Sequence, residues 1–67
     1  MKVIYDPTVD ALTVILNDVL VETSDEVGPG VVFDYDKDGN IVGIEILDAS
    51  IRVQKPNAVE LQYAQPA

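Results

Sequence analysis

The dipeptide Asp38-Gly39, set between the Val- and Ile-rich segments Val31 to Tyr35 and Ile41 to Leu47, constrains this chain more than any other feature. Asp-Gly is a strong signal for a tight hairpin turn, because the favoured two-residue turn needs backbone angles that Asp tolerates and Gly adopts freely. Taken as a type I′ turn, it pairs Lys37 with Asn40, Tyr35 with Val42, Phe33 with Ile44 and Val31 with Ile46. The inner partners are then all apolar. The opposite set, Asp36 with Ile41, Asp34 with Gly43 and Val32 with Glu45, is mostly polar, and a slip of one residue would mix the two.

The same logic extends upstream. Short apolar stretches divided by turn residues read as strands over Lys2 to Tyr5, Ala11 to Leu16 and Val19 to Thr23. A loop at Pro7-Thr8-Val9-Asp10 sets Tyr5 beside Leu12 and Val3 beside Val14. A turn at Asn17-Asp18 sets Leu16 beside Val19 and Val14 beside Val21. Gly28-Pro29-Gly30 then connects this meander to the second hairpin. The expected fold is mainly β, with a small α+β variant open: an antiparallel meander of about five strands built from two hairpins, with at most one short C-terminal helix. Asp48 or Ser50 would cap that helix and Pro56 would end it. Val59, Leu61 and Tyr63 alternate as an edge strand would, so residues 49–63 stay open between helix and strand. One small domain over 1–63 is expected, with a frayed tail over 64–67.

Composition excludes whole classes of chemistry. The chain has no His and no Cys, so it holds no Ser-His-Asp triad, thiolate nucleophile, disulfide, or His- or Cys-ligated metal. Ser24 and Ser50 have no base to activate them. Asp25 and Glu26 are adjacent, so in a strand they face opposite sides and do not form a dyad; they read as a solvated connection. Asp6 and Asp10 flank the Pro7 loop and read as turn residues bonding nearby amides. An enzyme is not expected, nor an organic cofactor.

Twelve Asp and Glu against four Lys and Arg give a net charge of −8. Lys2, Lys37, Arg52 and Lys55 cannot neutralise a phosphate track, so nucleic acid is not an expected partner, and anionic membranes should repel the chain. No apolar run reaches the roughly 20 residues that span a bilayer, and the N-terminus lacks the apolar region of a secretory signal. A soluble cytoplasmic protein is the expectation. At 48% hydrophobic residues the chain is nevertheless too apolar to be a disordered acidic tail. Ile4, Ile15, Leu20, Val32, Ile41 and Leu47 remain on the reverse face of the sheet and need covering by the C-terminal segment or by another chain. Apolar residues on both sheet faces, together with an exposed edge, point to a homodimer.

Asp34 to Glu45 fits the twelve-residue calcium loop of an EF-hand letter by letter, with Asp34, Asp36 and Asp38, Gly39 at the sharp turn and Glu45 at the end. The flanks alternate as strands, however. In a hairpin Glu45 lies about six residues along the strand from Asp38, or roughly 20 Å at about 3.3 Å per residue. One ion cannot hold both. The motif reads first as turn chemistry, with calcium at Asp34, Asp36, Asp38 and Glu45 as the alternative. The leading functional expectation is a non-catalytic module whose acidic residues, Glu22, Asp25, Glu26, Asp34 and Asp36, meet a basic protein.

Tyr5-Asp6-Pro7, Asp10-Ala11-Leu12, Gly28-Pro29-Gly30-Val31, Asp34-Tyr35-Asp36 with Asp38-Gly39, and Gly43-Ile44-Glu45-Ile46-Leu47-Asp48-Ala49-Ser50 occur in that order. Jointly, over about residues 3–51, they resemble the short prokaryotic family catalogued as domain of unknown function 2283. The family brings no established activity, cofactor or catalytic residue. Its members resemble the small acidic partners encoded beside small toxin proteins, so the resemblance implies an antitoxin-like role. Many members continue into a basic C-terminal helix, and Ile51-Arg52-Val53-Gln54-Lys55-Pro56 departs from that pattern.

Overall fold

Five strands and one short helix follow one another in the computed structural model, which describes residues 1–66. They are β1 (Lys2–Asp6), β2 (Ala11–Ile15), β3 (Thr23–Gly28), β4 (Val31–Tyr35), β5 (Ile41–Leu47) and α1 (Ala49–Arg52). The strands form one sheet in the order β1-β2-β5-β4-β3, and every neighbouring pair is antiparallel. The fold class is therefore as read from the sequence: mainly β, one antiparallel sheet, one short helix. The frayed end expected over 64–67 lies partly outside the described residues, at Ala67.

The hairpins expected around the Pro7 loop and around Asp38-Gly39 are present. In the first, Tyr5 pairs with Leu12 and Val3 with Val14. In the second, Val31 pairs with Ile46, Phe33 with Ile44, and Asp34 with Gly43. The tip departs from the expected two-residue turn. Gly39 has φ 82° and its N–H donates to Asp36 O, while Asp36 N–H donates to Asn40 O. This is the three-residue loop in which a turn is followed by a left-handed Gly. The loop changes the count on one side, so the ladder shifts after Asp34 and Tyr35 pairs with Ile41 instead of Val42.

The third strand is the larger correction. Val19 to Glu22 is not a strand, and Asn17-Asp18 does not close a hairpin. The N–H groups of Leu16 and Asn17 both donate to Val42 O, at 2.8 and 3.2 Å, so the chain leaving β2 stays beside β5. β5 occupies the edge of β2 that a hairpin would have used, with Leu12 opposite Ile46 and Val14 opposite Ile44. Asn17-Asp18 also lacks the Gly that eases two successive positive φ angles. The strand forms instead over Thr23–Gly28, and Gly28-Pro29-Gly30 is the turn of a third hairpin, β3–β4, instead of a link between two. Pro29 followed by Gly30 at φ 73° is what a type II turn requires. Asp25 and Glu26, expected in a solvated connection, thus lie in a charged strand at the edge of the sheet.

Pairing fixes which residues share a face. Leu12, Val14, Val31, Phe33, Ile44 and Ile46 lie on one side, flanked by Val3 and Tyr5. Ile4, Thr13, Ile15, Val32, Asp34 and Glu45 lie on the other. Among the described residues, Val42 and Ala49 are the only hydrophobic residues that are buried, and no large side chain is fully enclosed. The sheet is a single layer.

The chain after β5 closes only one corner. Asp48 enters the left-handed region at φ 51° and makes no side-chain cap; α1 ends at Val53, before Pro56. Residues 54–66 contain neither helix nor strand, so the alternating Val59, Leu61 and Tyr63 run exposed. Pro56, Asn57 and Val59 stand over Val3, Tyr5 and Pro7 at the β1 margin of the apolar face. No helix of the described residues is long and apolar enough to cross a membrane.

Candidate functional site

The sequence-predicted acidic residues divide among three places. Glu22, Asp36 and Asp38 meet at one end of the sheet, around a concavity that Val19, Leu20 and Lys37 also line. Two main-chain features build it. Glu22 N–H donates to Tyr35 O at 2.8 Å, which anchors the chain just before β3. The loop at Asp36 is held by its own carboxylate: Oδ1 accepts from the N–H groups of Asp38 and Asn40, both at 2.9 Å, and Oδ2 accepts from Asn40 Nδ2 at 3.1 Å. Those bonds, the Asn40 amide first, hold the Asp36 carboxyl below the usual Asp range, so it stays ionised.

Val19 and Leu20 were not among the sequence-predicted site residues. Placed in a strand, Leu20 belonged to the reverse face of the sheet; with that strand absent it projects into solvent, 84% exposed. The available signal was the missing Gly after Asn17, which weakens the turn that would have drawn these residues into the sheet.

Asp25 and Glu26 extend the acidic surface along β3. Their partners Phe33 and Val32 lie on opposite faces, so the two carboxylates point to opposite sides of an exposed edge strand. Glu26 Oε1 also accepts from Gly30 N–H at 3.3 Å across the hairpin turn.

Asp34 does not join that surface, which corrects its assignment as a partner-binding residue. It is 7% exposed and faces inward over Gly43 on the reverse face of the sheet. Ser24 Oγ donates to Asp34 Oδ1 at 2.6 Å. A Cβ added to Gly43 would lie 2.9 Å from Asp34 Oδ2, so the carboxylate occupies space left open by a missing side chain. Glu45 shares this face. Hydrogen bonding to Asp34, then loss of solvent, then repulsion by the Asp34 charge all raise the Glu45 carboxyl above its ordinary range.

This division separates the residues of the EF-hand pattern into two places. Asp34 and Glu45 turn toward each other on the sheet face, whereas Asp36 and Asp38 sit in the loop, where Asp36 is engaged by amide donors. No group of three or more His, Cys, Asp or Glu that could hold a metal ion forms among the described residues. The twelve residues have the letters of a calcium loop and the backbone of a hairpin.

A third cluster fastens the C-terminus. Asp10, at φ 53°, accepts from Tyr5 Oη at 2.7 Å, from Ser50 N–H at 3.0 Å and from Ser50 Oγ at 2.6 Å. Its backbone O also accepts from Ala49 N–H at 3.0 Å. Ser50 first, then Tyr5, lowers the Asp10 carboxyl below its usual range, and the same bond raises the Tyr5 phenol. Every donor here comes from the chain itself, so the cluster fastens the β1–β2 loop to α1.

A single antiparallel sheet of five strands with an acidic edge strand and one short helix defines a small, mainly β protein. The chain belongs to the family described as protein of unknown function (DUF2283), which it matches over residues 2–50. That span runs from β1 to the first turn of α1 and includes the Asp10–Ser50 fastening and the Asp34–Gly43 contact. No curated protein and no solved structure gives a match to the chain.

Proposed function

We propose that the protein is a non-catalytic interaction module that presents the β3 edge and the adjoining concavity to a basic protein segment. One observation carries the reading: exposed Val19 and Leu20 are ringed by Glu22, Asp36 and Asp38 beside an unpaired strand edge that bears Asp25 and Glu26. An apolar anchor rimmed by three carboxylates, with Lys37 the one cation among them, gives a partner both contact area and electrostatic steering. The free edge of β3 adds main-chain donors and acceptors that an extended segment can use. The partner class that fits is a small basic protein, and the family resemblance favours a toxin whose RNA-binding groove the carboxylates would fill in place of phosphates.

The test is affinity capture from the host lysate at low salt, followed by binding measurements with the purified captured protein. The expected partner is small and basic. A rise in salt from about 0.05 to about 0.5 M should weaken its binding at least roughly tenfold, because rim charges become screened. Leu20→Ala and the double change Asp25→Lys, Glu26→Lys should each weaken it further, with the sheet intact by circular dichroism. Binding indifferent to both salt and these substitutions would remove the proposal.

A further inference from the structure

We propose that the apolar face of the sheet is the contact surface of a homodimer, in which it packs against the same face of a second copy. Leu12, Val14, Val31, Phe33, Ile44 and Ile46 form this face and only partly leave solvent. The argument does not depend on the basic-partner reading.

The first support is size. A folded monomer of 7.3 kDa is expected to expose about 4,200 Å², whereas this chain exposes 5309 Å². Its radius of gyration is 13.2 Å, against about 11 Å for a compact chain of this length. The extended segment after α1 accounts for part of the excess and the open sheet for the rest. A standard protein interface removes about 800 Å² from each partner, which is of the same order as the whole excess of about 1,100 Å² that sheet and tail share. A single sheet also has no second layer in which to bury its apolar side, and two-layer packing is the usual solution.

The second support is charge, and it selects both the face and the occupant. The reverse face carries Asp34 and Glu45 near its centre and Lys2, Asp6 and Glu26 toward its margins. Two copies joined there would bury carboxylates against carboxylates, at a cost that pairing could not repay. The apolar face has a single charge among its paired strand residues, Asp25, and that lies on the edge strand opposite Phe33. Copies that each carry a net charge of −8 can approach closely only through such a surface. A two-fold contact needs a patch complementary to itself, and a flat, apolar, nearly uncharged patch meets that requirement. Two sheets joined this way would lie about 10 Å apart. Both β3 edges would remain at the outside of the pair.

Two measurements on the full chain decide the question. Sedimentation equilibrium between roughly 5 and 500 µM should give twice the chain mass at the upper end. In a sample mixing isotope-labelled and unlabelled chains, filtered nuclear Overhauser spectra should then connect the methyls of Val14, Val31 and Ile44 to the other copy. The chain mass at every concentration would overturn the proposal. So would a dimer whose intermolecular signals arise from Ile4, Ile15 and Val32. Contacts from the Val14 and Ile44 methyls to Leu61 and Tyr63 of the same chain, without intermolecular signals, would assign the face to the protein's own tail and equally overturn it.

Discussion

Asp10 and Ser50, forty positions apart, are joined by two hydrogen bonds: Ser50 N–H donates to Asp10 Oδ1 at 3.0 Å and Ser50 Oγ to Oδ2 at 2.6 Å. The carboxylate thus ties the β1–β2 loop to the first turn of α1. Asp10→Asn tests the tie with little backbone cost, since Asn also tolerates the left-handed conformation that Asp10 adopts. One acceptor oxygen and the charge are lost. The Ala49 and Ser50 amides should exchange with solvent roughly ten times faster, while amides of β4 and β5 keep their protection. The pH dependence should change too. The Asp10 carboxyl is lowered in the folded chain from an ordinary 3.8, so its contribution is present above that value and disappears as pH falls through the lower folded one. Asp10→Asn should remove that acid limb from the stability profile.

Gly43 is required for a different reason from a turn glycine: its missing Cβ leaves the space into which Asp34 folds. Gly43→Ala places a methyl 2.9 Å from Asp34 Oδ2 and 3.5 Å from Val14 O, with backbone on one side and a buried carboxylate on the other. The substitution should cost about 1–3 kcal/mol by chemical denaturation, as overpacking typically does. Glu45 should then titrate closer to the ordinary Glu value, because a displaced Asp34 no longer holds its proton. A neutral change in stability together with an unmoved Glu45 titration would refute the contact.

Glu45 gives the opposite pH dependence from Asp10. Its carboxyl is raised in the folded chain from an ordinary 4.5, so the folded state holds the proton more tightly than the unfolded state. Its stabilising contribution is therefore present below 4.5 and is lost as pH rises through the higher folded value. Glu45→Gln removes this ionisation and leaves an amide that can donate to Asp34. At neutral pH the variant should be more stable than the parent, and the advantage should shrink on acidification toward the ordinary Glu range. Thermal melts at several pH values would show it.

Gly39 is in open surroundings, with no atom within 4 Å of an added Cβ, yet its φ is 82°. Gly39→Ala should therefore cost about 1–2 kcal/mol from backbone conformation alone. Gly39→Asn should cost less, since Asn tolerates the left-handed region. Equal losses for the two would mean that the loop had rearranged.

Most of the sheet was legible because its signals are local. Asp38-Gly39 marked the second hairpin, and the alternation of Val31 to Tyr35 against Ile41 to Leu47 fixed a register that is correct from Val31 to Asp34. The tip was misjudged by one residue because Asp-Gly serves both a two-residue turn and the three-residue loop. The Asp36 carboxylate, bonded to Asp38 and Asn40, accompanies the longer one. The third strand was misplaced by the same local reasoning. Val19 to Thr23 is the more apolar segment, but Thr23–Gly28 forms the strand, because an edge strand beside β4 tolerates charge and the neighbouring position on β2 belongs to β5.

The candidate site was legible in composition but not in arrangement. Glu22 and Asp36 do share a concavity, yet Asp34, two residues from Asp36, is buried on the sheet beside Ser24 and Glu45. Val19 and Leu20 entered the site because they failed to become a strand.

By itself the sequence determined the class of the fold, the membership of its two apolar hairpins, and the absence of His and Cys chemistry. These follow from side-chain alternation, turn residues and composition, which act over a few neighbouring positions. Tertiary structure alone decided that β2 pairs with β5, that Asp10 reaches Ser50 and that Asp34 is hidden while Asp25 and Glu26 are displayed. Each of those depends on which strand wins a shared edge, a competition between segments distant in the chain that no local pattern records.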